Sequence, residues 1–278
     1  MINGKAIYAT KGAAMEYGRI GCNFFTGCPH NCEYCYLKRG APSKVLGGAT
    51  VQLKKCFKDV IDAYGAFCHE VGKHLAECQK HGVFFSFTTD PMIQETRTLT
   101  ICAVGYLGDL GIRSTILTKD VSWINDEDAV RLLNEIVEKG FDVRIGFTLT
   151  GRDDMEPHAS KNAIRCLTMR GLHKMGIKTW ASIEPVIDWL SSKRVIEQTL
   201  DCCDHYKIGL RSGVKKDYYD LIASGRKLDE FTQMITEAGR TVYLKESARA
   251  LLRRCYKEDY YNEILSRCVD MDGNPIAL

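Results

Sequence analysis

Gly27-Cys-Pro-His-Asn-Cys-Glu-Tyr-Cys-Tyr36 sets three cysteines, Cys28, Cys32 and Cys35, into eight residues with the spacing C-x3-C-x2-C. Three thiolates this close can hold three irons of a 4Fe–4S cube and leave the fourth without a protein ligand. An open iron is a place where a small molecule can bind and be reduced. A cluster that only carries electrons wants four protein ligands, and no fourth cysteine adjoins the run. Zinc is the structural alternative. A structural zinc site needs four ligands, usually from two paired clusters, and His30 inside the run is the residue that would complete a small knuckle.

Outward from this loop, apolar runs of strand type recur at Ile20–Phe25, Val83–Thr88, Arg113–Thr118, Val143–Thr148, Lys178–Ile183, Tyr206–Leu210 and Val242–Leu244. From the second onward, segments that read as helices separate them. One runs from Asn125-Asp-Glu-Asp through Ala129–Val137: acidic residues crowd its first turn, where the macrodipole favours them, and Lys139-Gly140 closes it. Ser160–Lys174 is another, ending before Gly176, and Gln52–His81 holds the first crossover helix with room for a second. Such alternation builds a parallel sheet with right-handed crossovers, and six or more units argue a barrel or partial barrel. Working residues then sit at the C-terminal ends of strands, the rim on which the Cys28–Cys35 loop falls.

The chain of 278 residues is 45% hydrophobic and 26% charged with net charge +3, enough for one large domain. The near-balanced charge forces neither nucleic-acid nor membrane binding. Met1-Ile-Asn-Gly-Lys-Ala lacks the apolar core of a secretory leader, and no apolar run approaches the roughly 18 residues that span a bilayer. Thirteen cysteines, odd in number and irregular in spacing, do not form a disulfide framework. The expectation is a cytoplasmic protein with free thiols and no membrane partner. Cys56, Cys68, Cys78, Cys102 and Cys166 fall in helical stretches, where cysteine serves as a small buried hydrophobe. Cys202-Cys203 with Cys255 or Cys268 is too irregular for a second cluster, and Gly47-Gly48 lacks the lysine and hydroxyl of a phosphate loop.

The cysteine spacing, with aromatic Tyr34 before the third cysteine, resembles the radical S-adenosylmethionine superfamily. Lys5-Ala-Ile-Tyr8, Glu16-Tyr17, Asn23-Phe-Phe-Thr-Gly-Cys-Pro-His30 and Thr88-Thr-Asp-Pro91 with Gln94-Glu95 resemble its spore photoproduct lyase-like branch. Ala181-Ser-Ile-Glu-Pro-Val-Ile187 and Tyr243-Leu-Lys-Glu-Ser247 resemble a related phage-type group. The resemblance implies a (β/α)6 partial TIM barrel over residues 1–212, with 213–278 as a short C-terminal extension packed on it in one domain overall. It implies a 4Fe–4S cluster on Cys28, Cys32 and Cys35, and S-adenosylmethionine as the second cofactor. It also implies a flavodoxin- or ferredoxin-like one-electron donor. Hydrogen abstraction from a nucleobase, nucleotide or DNA base is the implied reaction, of lyase or of isomerase or transferase type, in lesion repair or base modification. A departure is Thr88-Thr89-Asp90 where the superfamily often has a Gly-Gly-Glu type motif. The rival class is a non-enzymatic iron–sulfur or zinc binding module.

The strand ends supply the remaining candidates. Thr88, Thr89 and Asp90 carry oxygens suited to the methionine ammonium, although Asp90-Pro91 would equally cap the following helix. Tyr34, Thr118, Thr148, Ser182 and Glu184 complete the expected cofactor contacts, with Lys119, Thr150 and Arg152 beside them in polar loops. Glu184 and Lys245 are the expected catalytic pair. A carboxylate ending an apolar strand is costly to bury without a partner, and Arg211 or Lys245 would supply a purely structural one. Ser212 and Glu246 share that rim.

Overall fold

A computed structural model describes residues 2–38, 43, 48–215 and 217–276. The strands are β1 (Ile7–Ala9), β2 (Ile20–Cys22), β3 (Phe25–Thr26), β4 (Gln52–Leu53), β5 (Val83–Phe85), β6 (Ser114–Thr118), β7 (Val143–Thr148), β8 (Lys178–Val186), β9 (His205–Leu210) and β10 (Thr241–Leu244). Eight of them form one mostly parallel sheet in the order β1-β2-β5-β6-β7-β8-β9-β10; β3 and β4 pair separately. This is a mixed α/β fold whose sheet is open rather than a closed barrel. Strand β1 is antiparallel to β2, with Ile7 opposite Cys22.

The helices are α1 (Val60–Lys73), α2 (Leu75–His81), α3 (Arg97–Asp109), α4 (Glu127–Lys139), α5 (Asn162–Lys174), α6 (Trp189–Glu197), α7 (Leu221–Glu237), α8 (Glu246–Cys255) and α9 (Glu258–Ser266). Their starts are written in aspartates. Asp59, Asp126, Asp188 and Asp220 each accept a backbone N–H of the first turn of α1, α4, α6 and α7. Gly140 ends α4 at φ 68°, the left-handed conformation glycine adopts without a Cβ penalty.

Three expected strands differ in extent by more than one residue. The run Ile20–Phe25 breaks at Asn23, whose amide donates to the Tyr8 hydroxyl (2.7 Å) and whose carbonyl accepts Phe87 N–H (2.7 Å). That second bond also takes Phe87 out of strand pairing, so β5 stops at Phe85. Strand β8 continues three residues beyond Ile183, with a register shift against β9 between Ile183 and Val186, where Pro185 has no N–H to give the ladder. The segment after residue 212 supplies β10, which pairs in parallel with β9 from Thr241–His205 to Leu244–Ile208.

The chain divides into two compact units. The first comprises Met1–Gly146, Asp154–Ser160 and Met175–Ile177; the second comprises Phe147–Asp153, Lys161–Lys174 and Lys178–Leu278. In the first, Phe67 of α1 lies against Phe24 (5.5 Å) and Phe85 (6.3 Å). Glu70 of α1 accepts the backbone N–H groups of Lys5 (2.7 Å), Ala6 (3.0 Å) and Ile7 (2.9 Å), clamping β1. In the second, the β8–β10 face carrying Ala181, Ile183, Tyr206, Ile208, Val242 and Leu244 is wholly buried.

Cys56 lies in an exposed turn and Cys102 on an exposed part of α3, so neither is the buried hydrophobe expected; Cys78 and Cys166 are. Gly47 of the Gly47-Gly48 pair lies outside the described residues. Among the described residues no helix is long and apolar enough to cross a membrane.

Candidate functional site

In the first unit the cysteine loop is fixed at both ends and in its middle. Cys28 N–H donates to Gly48 O (2.9 Å), Glu33 N–H to Met155 O (3.0 Å), and the Lys38 ammonium to Asn31 O (2.8 Å). Gly27 sits at φ 83°, and a Cβ there would come within 2.1 Å of Thr50 O, so the approach of the two chain segments requires glycine. All three thiols are free; Cys32 is buried, and Cys28 and Cys35 are partly so. Burial, with the Asp90 charge adding to it, pushes the Cys28 thiol up to about 12, and burial raises Cys32 as well.

Asp90 is the hub of the loop. One carboxylate oxygen accepts Met92 N–H (2.9 Å) and the Thr118 hydroxyl (2.7 Å); the other accepts Lys119 N–H (2.7 Å) and His30 Nε2–H (2.8 Å). These four donors fill the acceptor directions of a carboxylate. Burial disfavours its charge, but the His30 hydrogen bond and charge and the Lys119 and Thr118 bonds outweigh that and hold it at about 2. The following helix, α3, starts at Arg97, so Asp90 does not cap it.

His30 is buried, with Nδ1 facing His158 O (3.2 Å) and Nε2 facing Asp90. Both partners are oxygen acceptors, an arrangement that favours the imidazolium. Burial opposes this charge, but the Asp90 hydrogen bond and charge prevail and raise the pKa above its ordinary value. Both ring nitrogens are thus engaged, one by His158 O and one by Asp90.

Tyr34, between the second and third cysteines, donates its hydroxyl to Glu156, and the Lys119 ammonium lies 5.5 Å from its ring centre. Glu156 is 1% exposed. Sequence reading missed it because 122 residues separate it from Tyr34. The Thr88 hydroxyl donates to Phe25 O, and the Thr89 hydroxyl is buried without a hydrogen-bond partner.

In the second unit the Lys245 ammonium donates to Glu184 at 2.5 Å, so the two expected catalytic residues meet as an ion pair. Lys245 is buried and Glu184 half-buried. Gly209 makes room for this pair: a Cβ there would lie 2.7 Å from the Glu184 carboxyl carbon. Ser182 and Thr148 are buried; Ser182 O accepts Leu149 N–H (2.9 Å) and Thr148 O accepts from Arg165. Arg152 pairs with Asp188 (3.1 Å) rather than remaining solvated. Arg211 lies over the Tyr218 ring and makes no pair with Glu184 among the described ion pairs.

Among the described residues, no three His, Cys, Asp or Glu side chains converge on one metal ion. The orphaned Thr89 hydroxyl, beside Asp90, is a buried group awaiting a polar guest. The loop therefore fits a cluster and its organic co-ligand.

No family model matches the chain. An uncharacterized protein of Methanocaldococcus jannaschii is 25% identical over 194 residues, 66% of this chain and 67% of that protein. Among solved structures, Streptococcus suis SuiB aligns with TM-score 0.51 and 13% identity, over 79% of this chain and 46% of SuiB. SuiB bound to S-adenosylmethionine aligns with TM-score 0.50 and 13% identity over 77% of this chain. A radical SAM methyltransferase from Sphaerobacter thermophilus aligns with TM-score 0.47 and 11% identity, over 80% of this chain and 64% of that one. The chain thus shares SuiB's fold while spanning less than half of its length.

Proposed function

We propose that this chain is a radical S-adenosylmethionine enzyme in which Cys28, Cys32 and Cys35 hold a 4Fe–4S cluster. The observation that carries the reading is a loop of three free thiols, braced by a buried His30–Asp90 pair, on a fold shared with a protein that binds S-adenosylmethionine. When bound, the cluster and S-adenosylmethionine together supply one-electron reductive cleavage and a radical able to abstract hydrogen.

The protein's part is placement and exclusion of water. Asp90 and Thr118 hold the cysteine loop against the ends of β5 and β6. Thr89 offers its hydroxyl to the cofactor, with Thr88 and Tyr34 beside it. Thr148, Ser182 and Glu184 of the second unit are proposed as further cofactor contacts, and Glu184 with Lys245 as the pair that meets substrate. A nucleobase, nucleotide or DNA base is the proposed substrate class, resting on the resemblance of Thr88–Pro91 and of the cysteine lead-in to the lyase-like branch. A flavodoxin- or ferredoxin-like protein is the proposed donor.

The test is anaerobic reconstitution with iron and sulfide, followed by S-adenosylmethionine and dithionite. About four irons per chain and release of 5′-deoxyadenosine are expected, and alanine at Cys28, Cys32 or Cys35 should abolish both. A fully loaded protein that releases no 5′-deoxyadenosine with any nucleobase or nucleotide substrate would favour the non-enzymatic module.

A further inference from the structure

We infer that Lys119 and Glu156 are an opposed charge pair, mounted on the two sides of Tyr34, that sets the reduction potential of the cluster. The inference rests on the cluster reading above. Tyr34 contacts two side-chain charges from distant segments: the Lys119 ammonium over its ring at 5.5 Å and Glu156 at its hydroxyl. It sits two residues past Cys32 and one before Cys35, so both charges are held against the segment that joins two of the proposed ligands.

The backbone fixes each charge in place. Lys119 N–H is bound by Asp90 (2.7 Å) and Lys119 O accepts Ser160 N–H (3.1 Å). Glu156 follows Met155, whose carbonyl holds Glu33 N–H of the cysteine loop (3.0 Å). Burial of Glu156 in a medium of low dielectric strengthens its field and limits screening by salt.

Reduction adds one electron from an external donor, with no bond made or broken. The added negative charge is stabilised by Lys119 and opposed by Glu156. Loss of the ammonium should therefore lower the midpoint potential, and loss of the carboxylate should raise it. Two side chains acting through Tyr34 and the loop are positioning residues, and a potential is a readout that a purely structural role would not move in opposite directions.

The experiment is a redox titration, followed by electron paramagnetic resonance, of reconstituted wild type, K119M, K119R and E156Q. S-adenosylmethionine is left out. K119M should shift the reduction equilibrium about tenfold against reduction, about 59 mV, with K119R near wild type. E156Q, which can still accept the Tyr34 hydroxyl, should shift it the other way. K119Q replaces K119M should the latter fail to load iron. Fully loaded variants with unmoved midpoints, or shifts of the same sign in K119M and E156Q, overturn the inference alone. Wild-type protein that takes up no cluster overturns the functional reading and this inference with it.

Discussion

Replacing Asp90 by asparagine tests the hub of the cysteine loop in protein without iron. The substitution keeps size and shape and removes the charge. The carboxylate is held at about 2, and the difference from the 3.8 of an unstructured aspartate is worth about 2–3 kcal/mol. The amide nitrogen of the introduced side chain must also face one of two backbone donors. Placed at one oxygen's position it confronts Lys119 N–H; at the other it confronts Met92 N–H. One buried N–H is orphaned either way, at a cost of at least about 1 kcal/mol. The two effects overlap, and the sum is about 3 kcal/mol. For a chain of this size that is a fall of roughly 6–12 °C in Tm. The sign with pH is fixed: a depressed carboxylate pKa gives stability that is complete above about 3.8 and is lost as pH falls through about 2. The gap between wild type and D90N should be full at pH 5 and narrow from pH 4 downward. Urea denaturation of iron-free protein at several pH values measures both. A loss below about 0.5 kcal/mol at pH 5, or a gap that does not change with acid, refutes the reasoning.

Glu184→Gln keeps shape and removes the partner of buried Lys245. Turnover should drop at least tenfold, about 1.4 kcal/mol of transition-state stabilisation, with iron content unchanged; a lowered Tm with unchanged activity per folded molecule would assign the pair to structure alone. Gly209→Ala drives a methyl into the Glu184 carboxyl group and should destabilise by about 1–3 kcal/mol, read by denaturation, and in the Glu184→Ala background the same substitution should cost far less. Glu70→Ala orphans three N–H groups at the start of the first strand and just before it, those of Lys5, Ala6 and Ile7. Amide exchange at Ala6 and Ile7 should accelerate by at least tenfold while β8–β10 amides stay protected; unchanged exchange at β1 would mean the clamp is redundant.

The parallel strands were legible because each is a run of buried apolar residues between helices of period 3.6, and Val143–Thr148 matches its run end to end. Strand β1 was not, because three residues are too few to show alternation and its pairing is antiparallel. The break at Asn23 escaped for a different reason: its two hydrogen bonds go to Tyr8 and Phe87, distances in sequence that no local pattern encodes. The cysteines announced themselves by spacing. Their supports did not. Asp90 looked like a helix cap because Asp-Pro usually is one, and only the arrival of His30 and Thr118 at its oxygens gives it another task. Glu156 carries no motif at all.

The supports of the cysteine loop also fix an order of events during synthesis. Cys28–Cys35 leaves the ribosome early, but His30 reaches its carbonyl partner across 128 residues, and Glu33 and Tyr34 find Met155 and Glu156 nearly as far along. At bacterial or eukaryotic elongation rates of about 5–20 residues per second, the thiols emerge roughly 6–26 s before the last of their braces. During that interval the nascent loop is an unbraced trio of thiols, open to stray metals and to oxidation. On the proposed reading, faithful metallation then needs the later segments as well, and a truncation anywhere before His158 should yield a polypeptide that possesses all three proposed ligand cysteines and yet offers no preformed seat for iron.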